Sequence, residues 1–382
     1  MFASDKYLSR YLIMHYNRFP NTLQLEISSN CNLGCPGCVR TQYTSIDQYP
    51  DPTVDITIEN LLVHTHPDIK KNQFLSFDVF KQLLNSSTVQ RSVERLEFIG
   101  TIDDPLMHPQ FLDMIEYTVK NTELVIIIHT NASLRNPVFF MKMARLLGKS
   151  TQEHRVCFSI DGLEDTNHLY RRGSNFNKIM DNATAFLKEL DRFPDSCVRT
   201  IWQYLIFDWN KHQVDTAQQR AADMGFTEFA SRNDRALLDI DFKHEARLGN
   251  QGSNWSNLKA RMDARAEDPI SCKMQHMYFI NFQGEVWPCC FFNNRKYQNI
   301  QQDAHQVLTE RFAHYGDNWN NLNYYSLDEI LKNEFYENDL VASWKSCSHG
   351  SGHQDRVTRC TQTCSKSELQ RRPLQAYKPA IL

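Results

Sequence analysis

Little in this chain is in excess. Its 382 residues hold no run of 18 apolar residues, no block of like charge and no amino-terminal charged-then-apolar leader. Glycine and proline number only 13 each, and the formal net charge is -3. The missing apolar run excludes a helical membrane span, and the missing leader points to a cytoplasmic protein. The absence of a basic stretch removes the electrostatic footprint that nucleic acid or an anionic membrane would demand. Two aromatic runs, "VRTIWQYLIFDW" and "NWNNLNYYS", read as core packing and ordinary surface, since the second has no basic residue interleaved. Neither nucleic acid nor membrane is expected as a partner.

What is present is a pattern of strands and helices. "TLQLEIS" (22–28), "RLEFIG" (95–100), "LVIIIHTNAS" (124–133), "RVCFSIDG" (155–162) and "VRTIWQYLIF" (198–207) read as strands. Between and after them, "FDVFKQLLNSS" (77–87), "PQFLDMIEYTVKN" (109–121), "PVFFMKMARLLG" (137–148), "FNKIMDNATAFLKEL" (176–190) and "HQVDTAQQRAADMG" (212–225) have helical spacing, with Ser76 a candidate N-cap. Strict alternation with nearly continuous apolar strands indicates α/β architecture, a parallel sheet with helices packed outside it. In such folds chemistry collects at the C-terminal ends of the strands. Residues 41–73 interrupt the rhythm as a polar, proline-bearing insertion, read either as a lid or as surface decoration.

Eleven cysteines in a reducing compartment suggest metal ligands, catalytic groups or core filler rather than disulfides. Cys31, Cys35 and Cys38 crowd into one loop directly after the first strand; Cys157 and Cys197 stand alone and read as buried core thiols. The other six lie in the last third. For eleven cysteines scattered at random, C-x3-C-x2-C would arise with a chance of about one in a hundred. A structural zinc site needs four protein ligands, so three would require a remote fourth. Three thiolates also suit three irons of a [4Fe–4S] cube, leaving the fourth iron open to an external ligand.

"CNLGCPGC" (31–38) resembles the signature of the radical S-adenosylmethionine (SAM) enzymes. The resemblance implies a partial (β/α)6 TIM-like barrel over residues 1–230 whose open iron binds the amino and carboxylate groups of SAM. One-electron reduction then yields methionine and a 5′-deoxyadenosyl radical that abstracts a substrate hydrogen. One departure is Gly37, where the family often has an aromatic residue beneath the adenine. "GTIDDPLMHP" (100–109) resembles a diverged form of the family's glycine-rich turn for the SAM amino group, which makes Gly100, Thr101 and Asp104 candidates. "HTNAS" resembles the strand end that presents Asn131. "FSIDG" followed by "YRRG" resembles the fourth-strand motif, with Ser159 and Asp161 near SAM and Arg171, or its rival Arg172, for the carboxylate. Gln203 is a further cofactor-binding candidate on the fifth strand.

Residues 231–270 read as a polar linker. Beyond it, "MYFINF" and "EVWPCCFF" form a predicted hairpin around Gln283-Gly284, and "SLDEILKNEFYENDLVASW" (326–344) looks helical. C-x11-G-x4-C followed by C-x3-C resembles the SPASM and twitch auxiliary domains, which implies a small α+β domain over 271–382 carrying one auxiliary [4Fe–4S] cluster. Cys272, Cys289, Cys360 and Cys364 are the implied ligands, with Cys290 and Cys347 as substitutes. A four-cysteine zinc hairpin is the other reading of the same residues. The expected activity is radical C–H chemistry on a peptide or protein side chain, by oxidation, cross-linking or epimerisation. A twitch-type small-molecule dehydrogenase is the rival, and a non-catalytic iron–sulfur electron carrier or sensor the reading from another class. The enzyme readings imply a reducing partner such as flavodoxin or ferredoxin.

Overall fold

The computed structural model describes residues 20–35, 38, 40, 70–233, 276–293 and 314–342. Among the described residues up to 233, six strands follow one another: β1 (Thr22–Leu25), β2 (Arg95–Phe98), β3 (Val125–Thr130), β4 (Arg155–Ser159), β5 (Arg199–Ile206) and β6 (Glu228–Asn233). They lie side by side in chain order, and every neighbouring pair is parallel. The order never reverses, so each right-handed crossover steps the same way and all the helices fall on one side of the sheet. This is the winding of a TIM-type barrel, left open because β6 does not return to pair with β1. The outer edge of β1 is taken instead by β7 (Met277–Ile280), again parallel, with β8 (Val286–Trp287) antiparallel beyond it. The predicted hairpin is therefore present, and it extends the same eight-stranded sheet. Its turn requires glycine: Gly284 has φ 84°, and a Cβ there would stand 2.7 Å from Asn323 Nδ2.

The two faces of the sheet differ in kind. Leu23, Leu25, Leu96, Phe98, Ile126, Ile128, Val156, Phe158, Trp202 and Tyr204 point outward and are fully excluded from solvent. They meet the apolar stripes of α1 (Phe77–Leu84), α3 (Phe111–Asn121), α4 (Pro137–Gly148) and α6 (Phe176–Leu190), with α2 (Ser87–Ser92), α5 (Asn167–Tyr170) and α7 (Val214–Met224) completing the layer. Edge-to-face pairs such as Phe98–Phe111, 5.2 Å between centroids, and Phe158–Phe186, 5.7 Å, lock strand to helix. The inner face presents Gln24, Glu97, His129, Cys157, Ser159 and Gln203; Gln24 is registered with Glu97, His129 with Cys157 and Ser159 with Gln203, while His129 lies two residues past the partner of Glu97.

Local chemistry sets the boundaries. The single helix expected over 77–87 is two helices, because the Ser86 side chain accepts the Val89 N–H and starts a new one. Ser76, expected to cap α1, makes no side-chain cap bond. Asn136 with Pro137 begins α4, Asn175 begins α6, and Gly225 at φ 89° ends α7. Cys197 is exposed rather than core, since it sits in the loop before β5 instead of on the strand. The segment expected to be one helix over 326–344 is broken: α9 (Leu327–Ile330), after the short α8 (Cys290–Asn293), is followed by a π-turn at Phe335–Asp339. Asp328 in α9 accepts the N–H and hydroxyl of Ser87 and the N–H and hydroxyl of Thr88, which caps α2 from 240 residues away. Of the proposed insertion only 70–73 falls within the described residues, and the 231–270 linker lies almost wholly outside them. No helix among the described residues is long and apolar enough to cross a membrane.

Candidate active site

β1 runs out at Leu25, and the chain turns over the C-terminal ends of the parallel strands as the cysteine loop. Three neighbouring loops hold it there. From the β2 side, the Asp104 N–H donates to the Asn30 carbonyl at 3.0 Å, and the Cys38 thiol donates to the Thr101 carbonyl at 3.8 Å. From the β3 side, Asn131 Nδ2 lies 3.0 Å from Asn32 Oδ1 and 3.7 Å from Cys31 Sγ, while Asn32 donates to Ser133 Oγ. From the β4 side, the Gly34 N–H donates to the Arg172 carbonyl, and Arg171 Nη1 approaches Cys35 Sγ at 3.9 Å. The loop packs its Leu33 and three thiols against Tyr170, Phe207 and Trp209.

Burial pushes the Cys31 thiol far up, with the Asp104 carboxylate adding to it. Burial likewise raises Cys35 to about 11, opposed by the Arg171 guanidinium. Both groups are thus held as thiols at neutral pH, and a metal entering here must displace their protons. Among the described residues no three His, Cys, Asp or Glu side chains converge on a single-ion point. In an iron–sulfur cube each thiolate binds a separate iron, so three such ligands need not converge on one point. Three thiols from one loop, two with an N–H donor near sulfur, fit such a cluster.

Around the loop stands a set of buried charges. Asp161 is fully buried, and its carboxylate accepts Arg171 Nε at 2.6 Å and the Leu205 N–H at 2.7 Å. Burial raises Asp161, with Arg171 opposing. For Arg171 burial works against the charge, but the Asp161 carboxylate overcomes it and holds the guanidinium charged. Ser159 and Gln203 touch each other at 3.4 Å on neighbouring strands. Asp104 is engaged as a brace: its carboxylate accepts the Leu106 and Asn131 N–H groups and the Thr130 hydroxyl. Burial raises its pKa, and those hydrogen bonds oppose the rise. Thr101 presents its carbonyl to the cysteine loop while its N–H and hydroxyl are taken by Glu26.

Sequence reading missed Glu26 and Asp103. Glu26 is fully buried at the end of β1, and it also accepts the Ile102 N–H and an amide N–H of Asn293 in α8. It therefore joins the β2 loop to the segment that follows Cys289 and Cys290. Asp103 reaches back to the Ile27 and Ser28 N–H groups, and its other oxygen has no hydrogen-bond partner among the described residues. Burial first, then the Glu26 and Asp104 carboxylates, lift Asp103 well above the carboxylate range. Gly100 explains itself here, since a Cβ would lie 1.8 Å from Asp103 Oδ1. Only the Asp103-Asp104 pair is adjacent in sequence; Glu26 lies 77 positions earlier and joins them only in the fold.

Arg171 rather than Arg172 faces the cysteines through its guanidinium; Arg172 contributes its carbonyl. Of the auxiliary candidates, Cys289 and Cys290 are half-buried against the core, and Cys272, Cys347, Cys360 and Cys364 lie outside the described residues.

No family model matches the chain. Among solved structures it is similar to native anSMEcpe with bound AdoMet, at 14% identity over 90% of this chain and 89% of that one, TM-score 0.47. The same protein with bound AdoMet and Cp18Cys peptide aligns at 13% identity over 90% and 88%, TM-score 0.45. BtrN in complex with AdoMet and 2-DOIA aligns at 14% identity over 89% and 91%, TM-score 0.40. Likeness this distant leaves the chemistry of the chain to its own residues.

Proposed function

We propose that the chain is a radical SAM enzyme that acts on a peptide or protein side chain. One observation carries the reading: Cys31, Cys35 and Cys38 sit at the C-terminal mouth of an open parallel barrel, beside a buried guanidinium held charged by Asp161. A [4Fe–4S] cluster with bound SAM would supply reductive cleavage to methionine and a 5′-deoxyadenosyl radical for hydrogen abstraction. Cys31, Cys35 and Cys38 would hold that cluster. Arg171 is the group to pair with the SAM carboxylate, and its bidentate geometry suits that role. The Thr101 carbonyl with Gly100 would face the amino group, and Asn131, Ser159, Asp161 and Gln203 complete the pocket, with Asp104 acting as a brace. Their arrangement is already made by hydrogen bonds within the chain, so little reorganisation accompanies binding.

Cys272, Cys289, Cys360 and Cys364 are proposed to hold one auxiliary [4Fe–4S] cluster in the C-terminal unit. A flavodoxin or ferredoxin in the cytoplasm would deliver the electrons. The polar inner face favours a substrate with hydrogen-bonding groups, a peptide or a polar small molecule of the kind a twitch-type dehydrogenase takes.

Anaerobic reconstitution followed by SAM and dithionite tests the reading. About eight irons per chain and 5′-deoxyadenosine in the product are expected, both falling in Cys35→Ala. An intact first cluster with no SAM cleavage would instead make this an iron–sulfur electron carrier.

A further inference from the structure

Below the cysteine loop, the inner face carries a row of polar side chains on four consecutive strands. Gln24 on β1 donates to Glu97 Oε2 on β2 at 2.9 Å. The other Glu97 oxygen lies 3.2 Å from His129 Nε2 on β3. His129 on β3 stands directly opposite Cys157 on β4 in the strand register. The side chains of His129 and Glu97 are 19% and 17% exposed, whereas their helix-facing neighbours Ile128 and Phe98 are sealed completely. The row thus lies on the inner side of the sheet, with Cys157 itself only 5% exposed. A thiol, a base beside it and a carboxylate behind the base form a relay that a core has no need for, because buried ionisable groups cost stability unless used. Cys157 is two residues before Ser159 on the same face of β4, about 7 Å along the strand. A substrate lying over this face would meet the SAM pocket at one end and the thiol at the other.

We propose that Cys157 is a hydrogen-atom donor to the substrate, with His129 and Glu97 as the positioning residues that return a proton to it. The inference rests on the radical reading above and narrows it. After the 5′-deoxyadenosyl radical takes a hydrogen atom from an sp3 carbon, the substrate radical takes one back from Cys157 on the opposite side. The S–H bond breaks, a C–H bond forms, and a thiyl radical is left. One electron from an iron–sulfur or flavin carrier reduces the thiyl to thiolate, and the His129 imidazolium supplies the proton, which solvent replaces. The substrate is neither oxidised nor reduced, so the outcome is inverted configuration at that carbon, with one SAM consumed. Around His129 the charged and titratable groups are Glu97 on β2 and Cys157 on β4, with Arg95 acting on Glu97. They hold the imidazole protonated against its burial, with a pKa of about 9.

The thiol hydrogen exchanges with water, which makes the idea testable with SAM alone. Substrate-free SAM cleavage in D2O by the reconstituted enzyme should give 5′-deoxyadenosine in which a major fraction carries one deuterium. That fraction should fall at least fivefold in Cys157→Ala and in Cys157→Ser. Undeuterated 5′-deoxyadenosine from the wild type, or deuterium that persists in both variants, overturns the inference and leaves the enzyme reading standing. No 5′-deoxyadenosine at all removes the enzyme reading and this one with it. An independent readout is the imidazole NMR titration of the full chain. The His129 signal should titrate near 9 and move down by at least one pH unit in both Glu97→Gln and Cys157→Ala. A His129 midpoint near 6.5, unmoved by either change, overturns the relay.

Discussion

On the same strands, the outer and inner faces of the sheet follow opposite rules. Phe98 and Glu97 are adjacent in sequence, yet one is sealed between Phe80 and Phe111 and the other is shared by Gln24 and His129 on the part-buried inner face. Outside, side chains are held by apolar contact that any close fit would satisfy. Inside, they are held by specific partners across strands, which is how a chemical surface is built. The outer face therefore accounts for stability, and the inner face and the loops above it for function.

Substitutions can break or sharpen that contrast. Phe98→Ala should cost about 3–5 kcal/mol in urea unfolding, from lost burial and the cavity left between the Phe80 and Phe111 rings. Glu97→Gln beside it should cost about 1–2 kcal/mol; equal losses at the two positions would erase the distinction. Asp161→Ala, which strands the buried Arg171 charge at the mouth, should cost about 3 kcal/mol and weaken SAM binding at the same time. A loss of stability with SAM affinity unchanged would make that pair purely structural.

His154 offers a pH test on the sealed side. Its Nδ1 accepts the Ile126 N–H, and burial depresses its pKa to about 4. The unfolded chain, titrating near 6.5, binds the proton first as pH falls. The stabilisation is complete above pH 6.5 and drains away as pH drops towards 4, by about 3 kcal/mol at most. Unfolding midpoints at pH 7 and 4.5 should differ less in His154→Gln than in the wild type. The smallest effect is expected at Gln203→Ala, within about 0.5 kcal/mol of wild-type stability and with a severalfold higher KM for SAM.

The outer face was the legible part of the sequence. Continuous apolar runs such as 124–128 gave five strands with their order, because burial on the helix side leaves its mark on composition. β6 was passed over, since "EFASRN" has no such run and gains its place by pairing with β5. At the site, cysteine spacing and the Asp161 and Arg171 motif were readable because they are local. Glu26 and Asp103 were not, because their role exists only once β1 and the β2 loop meet. Cys157, read as a buried core thiol, is buried, but nothing in "RVCFS" could show that His129, 28 residues earlier, would stand beside it in register.

One consequence concerns time. The outer edge of β1 is paired by β7, and α2 is capped by Asp328. Between Leu25 and Ile280 a ribosome adds 255 residues, roughly 13 to 50 seconds of synthesis. During that interval the β7-facing edge of β1 has no strand partner among the described residues, and such an edge invites pairing with other chains. The nascent barrel is therefore at its most vulnerable to misassociation after its cysteine loop has emerged and before its C-terminal third has been made.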